Sequence, residues 1–423
     1  MLSPKKKGVI ITVNKINYKL HQTSCTATIV ESPTASGDII IPKSIEKGSR
    51  TYVIKKIANS SFENAPITSL SFSDDSEINE IGSNCFGLAT PSALKKLSIP
   101  KSLEVLDEDW CFMTPNLVDI NLDRSNKNFL LENNILYNSN KTSILFVSRN
   151  QTSLTIQKTI KKISASACQY SKIQEIEYEN DSSSLEMFGR SAFFGCRLTK
   201  VYYPMSVKII GDFAFNGNRD LSIIRFEEGS QIERIGVCAF LGCDLMGEII
   251  CSSANLSRIG RECFEENDRL VRFISVYAHS IEIGRDAFKG TSPQFELVIG
   301  ESTKLRGKGI PPNVVRRSSS ADSSMLLETP RKENDSLSSP IVQERNISSL
   351  ELDVDDKDQE IERLRKELKA KDEQIEKLKE ENRKLNQKGN SEKDLENENS
   401  RLKEKLARMK KLVASLQNEL DDV

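Results

Sequence analysis

The sequence predicts an α/β repeat solenoid joined by a disordered linker to a long α-helical coiled coil, and three patterns carry that prediction. A six-residue unit ending in phenylalanine recurs through the first two thirds of the chain. A short strand pattern follows most copies of it. Near the C-terminus the apolar residues fall instead at heptad spacing.

The recurrent unit reads as an apolar residue, often glycine, two variable positions, a small residue and phenylalanine. Copies are IANSSF (57–62), IGSNCF (81–86), FGRSAF (188–193), IGDFAF (210–215), IGVCAF (235–240), IGRECF (259–264) and IGRDAF (283–288). ISASAC (163–168) is a variant, and residues 106–112 read as a copy with one extra residue. From Phe193 onward the phenylalanines step by 22, 25, 24 and 24 residues. Such a unit cannot bury its apolar edge alone, so a period of this size implies stacked neighbours sharing one core. The glycine permits a tight turn or a close backbone approach that a Cβ would obstruct. The slot before phenylalanine holds Ser61, Cys85, Cys111, Ala167, Ala192, Ala214, Ala239, Cys263 and Ala287. All are small, so the slot faces a crowded interior. Cys85, Cys111 and Cys263 therefore read as buried apolar side chains rather than nucleophiles.

The strand pattern is ITSLSF from Ile67, LKKLSI from Leu94, LVDINL from Leu117, IQEIEY from Ile173, LTKVYY from Leu198 and LSIIRF from Leu221. Apolar residues at i, i+3 and i+5 place the last two on one face of an extended segment. With this period, the pattern matches leucine-rich repeats, each a strand plus a short helical or irregular turn. Over about 8–299 the units resemble the BspA-type leucine-rich repeat family. The beginning also fits: Tyr18, a strand at 25–30, GDIIIP (37–42) and YVIKKI (52–57). NFLLENNILYNSNKTSILFV (128–147) resembles that family's hairpin-like insert, with Asn133 and Asn134 at a turn where asparagine tolerates left-handed backbone. The resemblance implies a solenoid that binds a ligand or adheres at a cell surface. A fold alone does not select among functions.

Four regions follow. Residues 1–50 are an N-terminal β-rich cap with the first degenerate repeats, and 51–300 are the solenoid, with the insert near 128–147. Residues 301–350 are rich in Ser, Pro and charge and bury too little apolar area to offset chain entropy, which predicts disorder. Arg316 and Arg317 ahead of Ser318 would suit a basic-directed kinase, and Thr329-Pro330 and Ser339-Pro340 a proline-directed one; a plain polar tether fits equally.

Residues 351–423 form the coiled coil. Ile361, Leu368, Ile375 and Asn382 hold a positions, and Leu364, Leu378 and Leu385 hold d, with Lys371 an imperfect member. Asn399, Leu406, Val413 and Leu420 at a, with Leu395, Leu402, Met409 and Leu416 at d, make a second block. The blocks are separated by a stammer around Gly389. So narrow a stripe is buried only by a partner helix; a homodimer is the default, with a heterotypic or antiparallel coil open.

Sixty basic and 61 acidic residues leave a net charge of −1, which gives no electrostatic reason to bind nucleic acid. Nine cysteines without a CxxC pair argue against a disulfide framework and a structural zinc site. The apolar run Val9–Val13 is too short for a signal peptide, and no stretch reaches the roughly 18 apolar residues of a transmembrane segment. A cytoplasmic location is expected, with the cell surface by an unconventional route as the alternative. His21 and His279 are expected at the surface, and Trp110 packed beneath its repeat. Neither GxxxxGK[ST] nor GxGxxG occurs. No catalytic, cofactor-binding or metal residue is therefore assigned, and no cofactor is expected. The expected function is a non-enzymatic scaffold that binds protein partners through the solenoid and oligomerises through the coil. A surface antigen or adhesin is the alternative. Which solenoid residues contact the ligand is unknown at this level.

Overall fold

A computed structural model describes residues 8–179 and 183–317. Of the linker expected at 301–350, residues 318–350 lie outside the described residues, as does the coiled coil. Lys304–Arg306 and Val314–Arg317 are instead strands that continue the solenoid beyond 300. Within them the chain winds as a β-solenoid of about 12 turns. Each full turn supplies a long strand to one face and a short strand at the Ile-Gly corner to another. The long strands stack in parallel, as Gly37–Ile41, Ile67–Phe72, Lys96–Ile99 and Asp119–Leu122 do at the start. Farther on they form the pairs Ser153–Ile156 with Glu175–Tyr178 and Lys200–Tyr203 with Ile223–Phe226. Gly247–Ile250, Leu270–Ser275, Glu296–Gly300 and Val314–Arg317 complete this face. An antiparallel meander of Val9–Val13, Ile16–His21 and Thr26–Val30 closes the N-terminal end.

The corner glycines serve close approach. A Cβ built on Gly236 would lie 2.5 Å from the Asp212 nitrogen and the Gly211 carbon; on Gly260, 2.4 Å from the Gly236 carbon and oxygen. None of Gly82, Gly189, Gly211, Gly236, Gly260 and Gly284 has positive φ, so the demand there is for space and not for left-handed backbone. Positive φ falls two residues later, at Ser191, Phe213, Cys238, Glu262 and Asp286, and again at Gly195, Gly217, Gly242, Glu266 and Gly290.

That alternation corrects the helical half of the expected α/β repeat, because among the described residues there is no helix. Alternate amides in the run after the corner point in two directions. Ser191, Phe193 and Gly195 donate to the next turn, at Asp212 O (2.9 Å), Ala214 O (2.7 Å) and Asn216 O (2.9 Å). Ala192, Phe194 and Cys196 donate within the turn, to Gly189, Ser191 and Phe193 carbonyls at 3.1–3.3 Å. A helix would send every amide back along its own axis. Here half of them stitch turn to turn, so the run stacks like a strand while bending like successive β-turns.

The phenylalanines form a continuous interior column. Phe193, Phe215, Phe240, Phe264 and Phe288 stack at 5.3–5.5 Å with planes within 6° of parallel. The small slot beside them is fully buried at Ser61, Cys85, Ala192, Ala214, Ala239, Cys263 and Ala287. The third copy departs from the sequence reading. Trp110 N donates to Asp107 O and Phe112 N to Asp109 O, the spacing of an ordinary turn, so no extra residue is present. Trp110 fills the small slot and Cys111 the aromatic one: the two volumes are exchanged. Trp110 is buried, edge-on to Phe86 at 6.5 Å and 5.8 Å from Phe146. Phe112 is left half-buried under the Arg190 guanidinium.

Between the two parts of the core, Phe129–Glu132, Ile135–Asn138 and Ser143–Val147 form an antiparallel meander whose last strand continues the short-strand ladder. Asn133 and Asn134 both take positive φ at its first turn, the pairing a tight hairpin needs. Arg149, 2% exposed, spans this junction. Its guanidinium donates to the carbonyls of Thr114 (3.3 Å), Cys111 (3.3 Å), Ser166 (3.1 Å) and Ala167 (2.8 Å) and covers the Phe146 ring at 4.6 Å.

Substitutions at three positions test these assignments by denaturant unfolding. Gly260→Ala forces backbone apart and should cost about 1–3 kcal/mol. Gly242→Ala, where the open side leaves only left-handed strain, should cost no more than about 1–2 kcal/mol; equal costs would remove the close-approach explanation. Arg149→Met strips four charge-assisted bonds but leaves each carbonyl one donor, from Leu117 N, Thr114 Oγ1, Gln169 N or Val147 N. It should cost about 2–3 kcal/mol, with Arg149→Lys giving little rescue because an ammonium cannot fan out to four carbonyls.

Candidate functional site

The repeat fixes the inward residues of each long strand and frees the outward ones. Val201, Tyr203, Ile224, Ile249 and Cys251 are buried, so Lys200, Tyr202, Ile223, Arg225, Glu248 and Ile250 face away from the core. Across most of this face the outward residues are polar: Ser69, Ser71, Lys96, Ser98, Asp119, Asn121, Glu175 and Glu177. Ile40 (71% exposed), in register with Ser71, is an isolated exception, and three successive turns depart from that rule together. Tyr202 (44% exposed), Met205 (46%), Ile223 (38%) and Met246 (37%) are four of the eleven large apolar side chains that stand exposed among the described residues. They run as a diagonal, from Met246 at the start of one strand through Ile223 to Tyr202 and Met205 at the end of another.

The ladder itself is interrupted under this diagonal. Ile223–Phe226 and Gly247–Ile250 belong to different sheets, and a bulge lies between Gly247 and Glu248, with Gly247 at φ +70°. Bulges of this kind re-aim side chains and end pairing.

Charge on the face is arranged by the same stacking. Lys200 pairs with Glu175 one turn away (3.5 Å) and Arg269 with Asp244 (3.1 Å). Arg272 lies between Glu296 (3.0 Å) and Glu248 (2.6 Å), and its hydrogen bonds to these two carboxylates raise its pKa. Arg225, exposed and in register with Tyr202, has no carboxylate within 4.0 Å among the described residues.

The groups examined as chemical candidates lie elsewhere. His21 and His279 are both exposed, and His21 Nε2 is 3.0 Å from Thr28 Oγ1. Among the described residues no group of three or more His, Cys, Asp and Glu is placed to hold a metal ion. All cysteines but Cys25 are buried. Burial pushes the Cys111 and Cys196 thiols up to about 11 and the Cys251 thiol up to about 12. Cys196 instead donates to the Cys168 carbonyl at 3.0 Å. The same position two residues past the left-handed glycines' preceding neighbour holds Asn218, whose Nδ2 donates to Phe193 O and Phe215 O, each at 2.8 Å.

Sequence reasoning named no contact residue on the solenoid. The available signal was a tyrosine at the outward place of LTKVYY and an isoleucine at that of LSIIRF, where other copies carry Ser, Lys, Asp or Glu.

The profile described as BspA type Leucine rich repeat region (6 copies) matches residues 42–143, 142–271 and 186–306. No curated protein matches. Among solved structures, a leucine-rich repeat protein from Eubacterium ventriosum is similar at 18% identity and a TM-score of 0.49, covering 67% of this chain and 96% of its own. A leucine rich cell surface protein from Faecalibacterium prausnitzii has 18% identity and a TM-score of 0.38, with 76% and 98% covered. The pneumococcal vaccine antigen PcpA has 16% identity and a TM-score of 0.43, with 74% and 100% covered. Among the described residues no helix is long and apolar enough to cross a membrane.

Thiol titration checks the assignment of the cysteines. With a disulfide reagent near pH 8, the native chain should release one fast equivalent, from Cys25, and the others only on unfolding. A second fast thiol would mean that a turn opens in the native state.

Proposed function

This chain belongs to the BspA type leucine rich repeat family, and we propose that it is a non-enzymatic scaffold whose long-strand face takes a protein partner at the Tyr202–Ile223 diagonal. The observation that carries this reading is that four exposed apolar side chains fall on three successive turns of a face whose other outward residues, Ile40 apart, are mostly polar. Contiguous apolar surface rimmed by charge marks interaction sites, and tyrosine and methionine are enriched at their centres. The ion-pair ladders on either side would form the rim, shielding the apolar centre from water without competing for it.

Oligomerisation through the heptads at 361–420 belongs to the same proposal. Tying two weak contacts together raises avidity by on the order of 10²–10⁴ where geometry permits both to engage. A cytoplasmic location completes it; protease shaving of intact cells that removes a tag on this protein would favour the adhesin reading instead.

Affinity capture with the full chain tests the binding face. A Tyr202→Ala/Ile223→Ser bait should lose patch-dependent partners by at least about tenfold, with little change in thermal midpoint because both side chains are exposed. An unchanged set of captured proteins would sink the proposal. Sedimentation of the full chain as a monomer at micromolar concentration would remove its oligomeric part.

A further inference from the structure

We propose, resting on the binding face above, that the partner segment carries a carboxylate beside a large apolar side chain, and that Arg225 receives the carboxylate. Lys200 on the preceding strand, and Arg269 and Arg272 two turns on, each already hold a carboxylate one turn away. Arg225 holds none among the described residues; it stands at the second outward place of its strand, in register with Tyr202, where Lys200 is in register with Ile223. The strand register puts it beside Tyr202, and Ile223 lies two residues away on the same outward side. A guanidinium flanked by apolar side chains is screened less by water once a partner covers it, which strengthens a charge-assisted pair.

The surrounding charges narrow the ligand. Glu248 on the next strand is matched by Arg272 and Glu175 two turns back by Lys200. Among the described residues of these strands Arg225 therefore supplies a single unmatched charge, too little for a multiply charged group such as a phosphate. A single carboxylate matches the guanidinium fork and adds only one charge. The apolar neighbour of that carboxylate would pack on Tyr202, Ile223 and Met205, excluding water from the pair.

Panning a random twelve-residue peptide library on the full chain, then measuring an enriched synthetic peptide by fluorescence anisotropy, tests this. Enriched peptides should share Asp or Glu next to a large apolar residue. Arg225→Glu should weaken the peptide by about 10- to 100-fold, and Arg225→Lys by less. Changing the peptide's acid to its amide should cost nothing further in an Arg225→Ala chain and should regain affinity in the Arg225→Glu chain. Peptides that lose affinity with Tyr202→Ala but not with Arg225→Glu would overturn the carboxylate assignment and leave the binding face standing. Peptides indifferent to both would overturn both, and a selection yielding no Arg225-dependent peptide would overturn the assignment.

Discussion

Backbone resting on backbone at the Ile-Gly corners is the constraint from which the rest of the solenoid follows. With about 2.5 Å between a corner glycine's missing Cβ and the peptide beneath, glycine corner on glycine corner keeps the turns at strand spacing. That spacing lets alternate amides of the following run reach the next turn's carbonyls, and it brings the phenylalanine rings to 5.3–5.5 Å. At the ends of a stack the corner carries a side chain: Ala58 follows the N-terminal cap, Asp107 is the last corner before the meander, and Ser164 follows it. No Ile-Gly corner lies beneath Ala58 or Ser164, and none lies above Asp107.

The features most legible in the sequence were those in which one residue type has one physical use. A glycine at fixed phase meant close approach, a small residue meant a crowded slot, and a periodic phenylalanine meant a column. Reading failed where two arrangements have the same composition. In residues 106–114 the order Trp-Cys-Phe suggested a small residue followed by its phenylalanine, displaced by one. The backbone keeps its ordinary phase and exchanges the large and small occupants instead. Both slots open onto the same interior, so summed volume is nearly conserved and either order packs. The helical expectation failed for a different reason. Hydrophobic spacing does not reveal whether an amide bonds along its own segment or across to the next turn.

The junction at Arg149 shows how an interrupted stack is made continuous. Cys111 and Cys168 stand where the column would hold phenylalanines, and both are buried. Phe146 and the guanidinium on its face occupy the vacated volume, while that guanidinium answers carbonyls from both sides of the insertion. Its charge meets carbonyl dipoles rather than a carboxylate among these partners. The Asp109 carboxylate nearby is taken by Ser166 and Arg190. A lysine or an apolar residue at 149 could fill volume, but neither could satisfy a fan of planar acceptors.

Stacking also determines what the surface can offer a partner. Because each outward position sits in register with its equivalent one turn away, a charge of one sign is readily matched by its opposite, as at Glu175 and Lys200 or Glu248, Arg272 and Glu296. Matched pairs on an exposed sheet contribute little binding energy, since solvent screens them and each partner is already occupied. Selectivity on such a surface therefore rests where the matching lapses. Arg225 faces Tyr202 in one direction and a sheet break in the other, and an apolar diagonal passes beside it. The interior repeats because the core requires it, and the departures from repetition on the outside are where one member of a repeat family can differ from another.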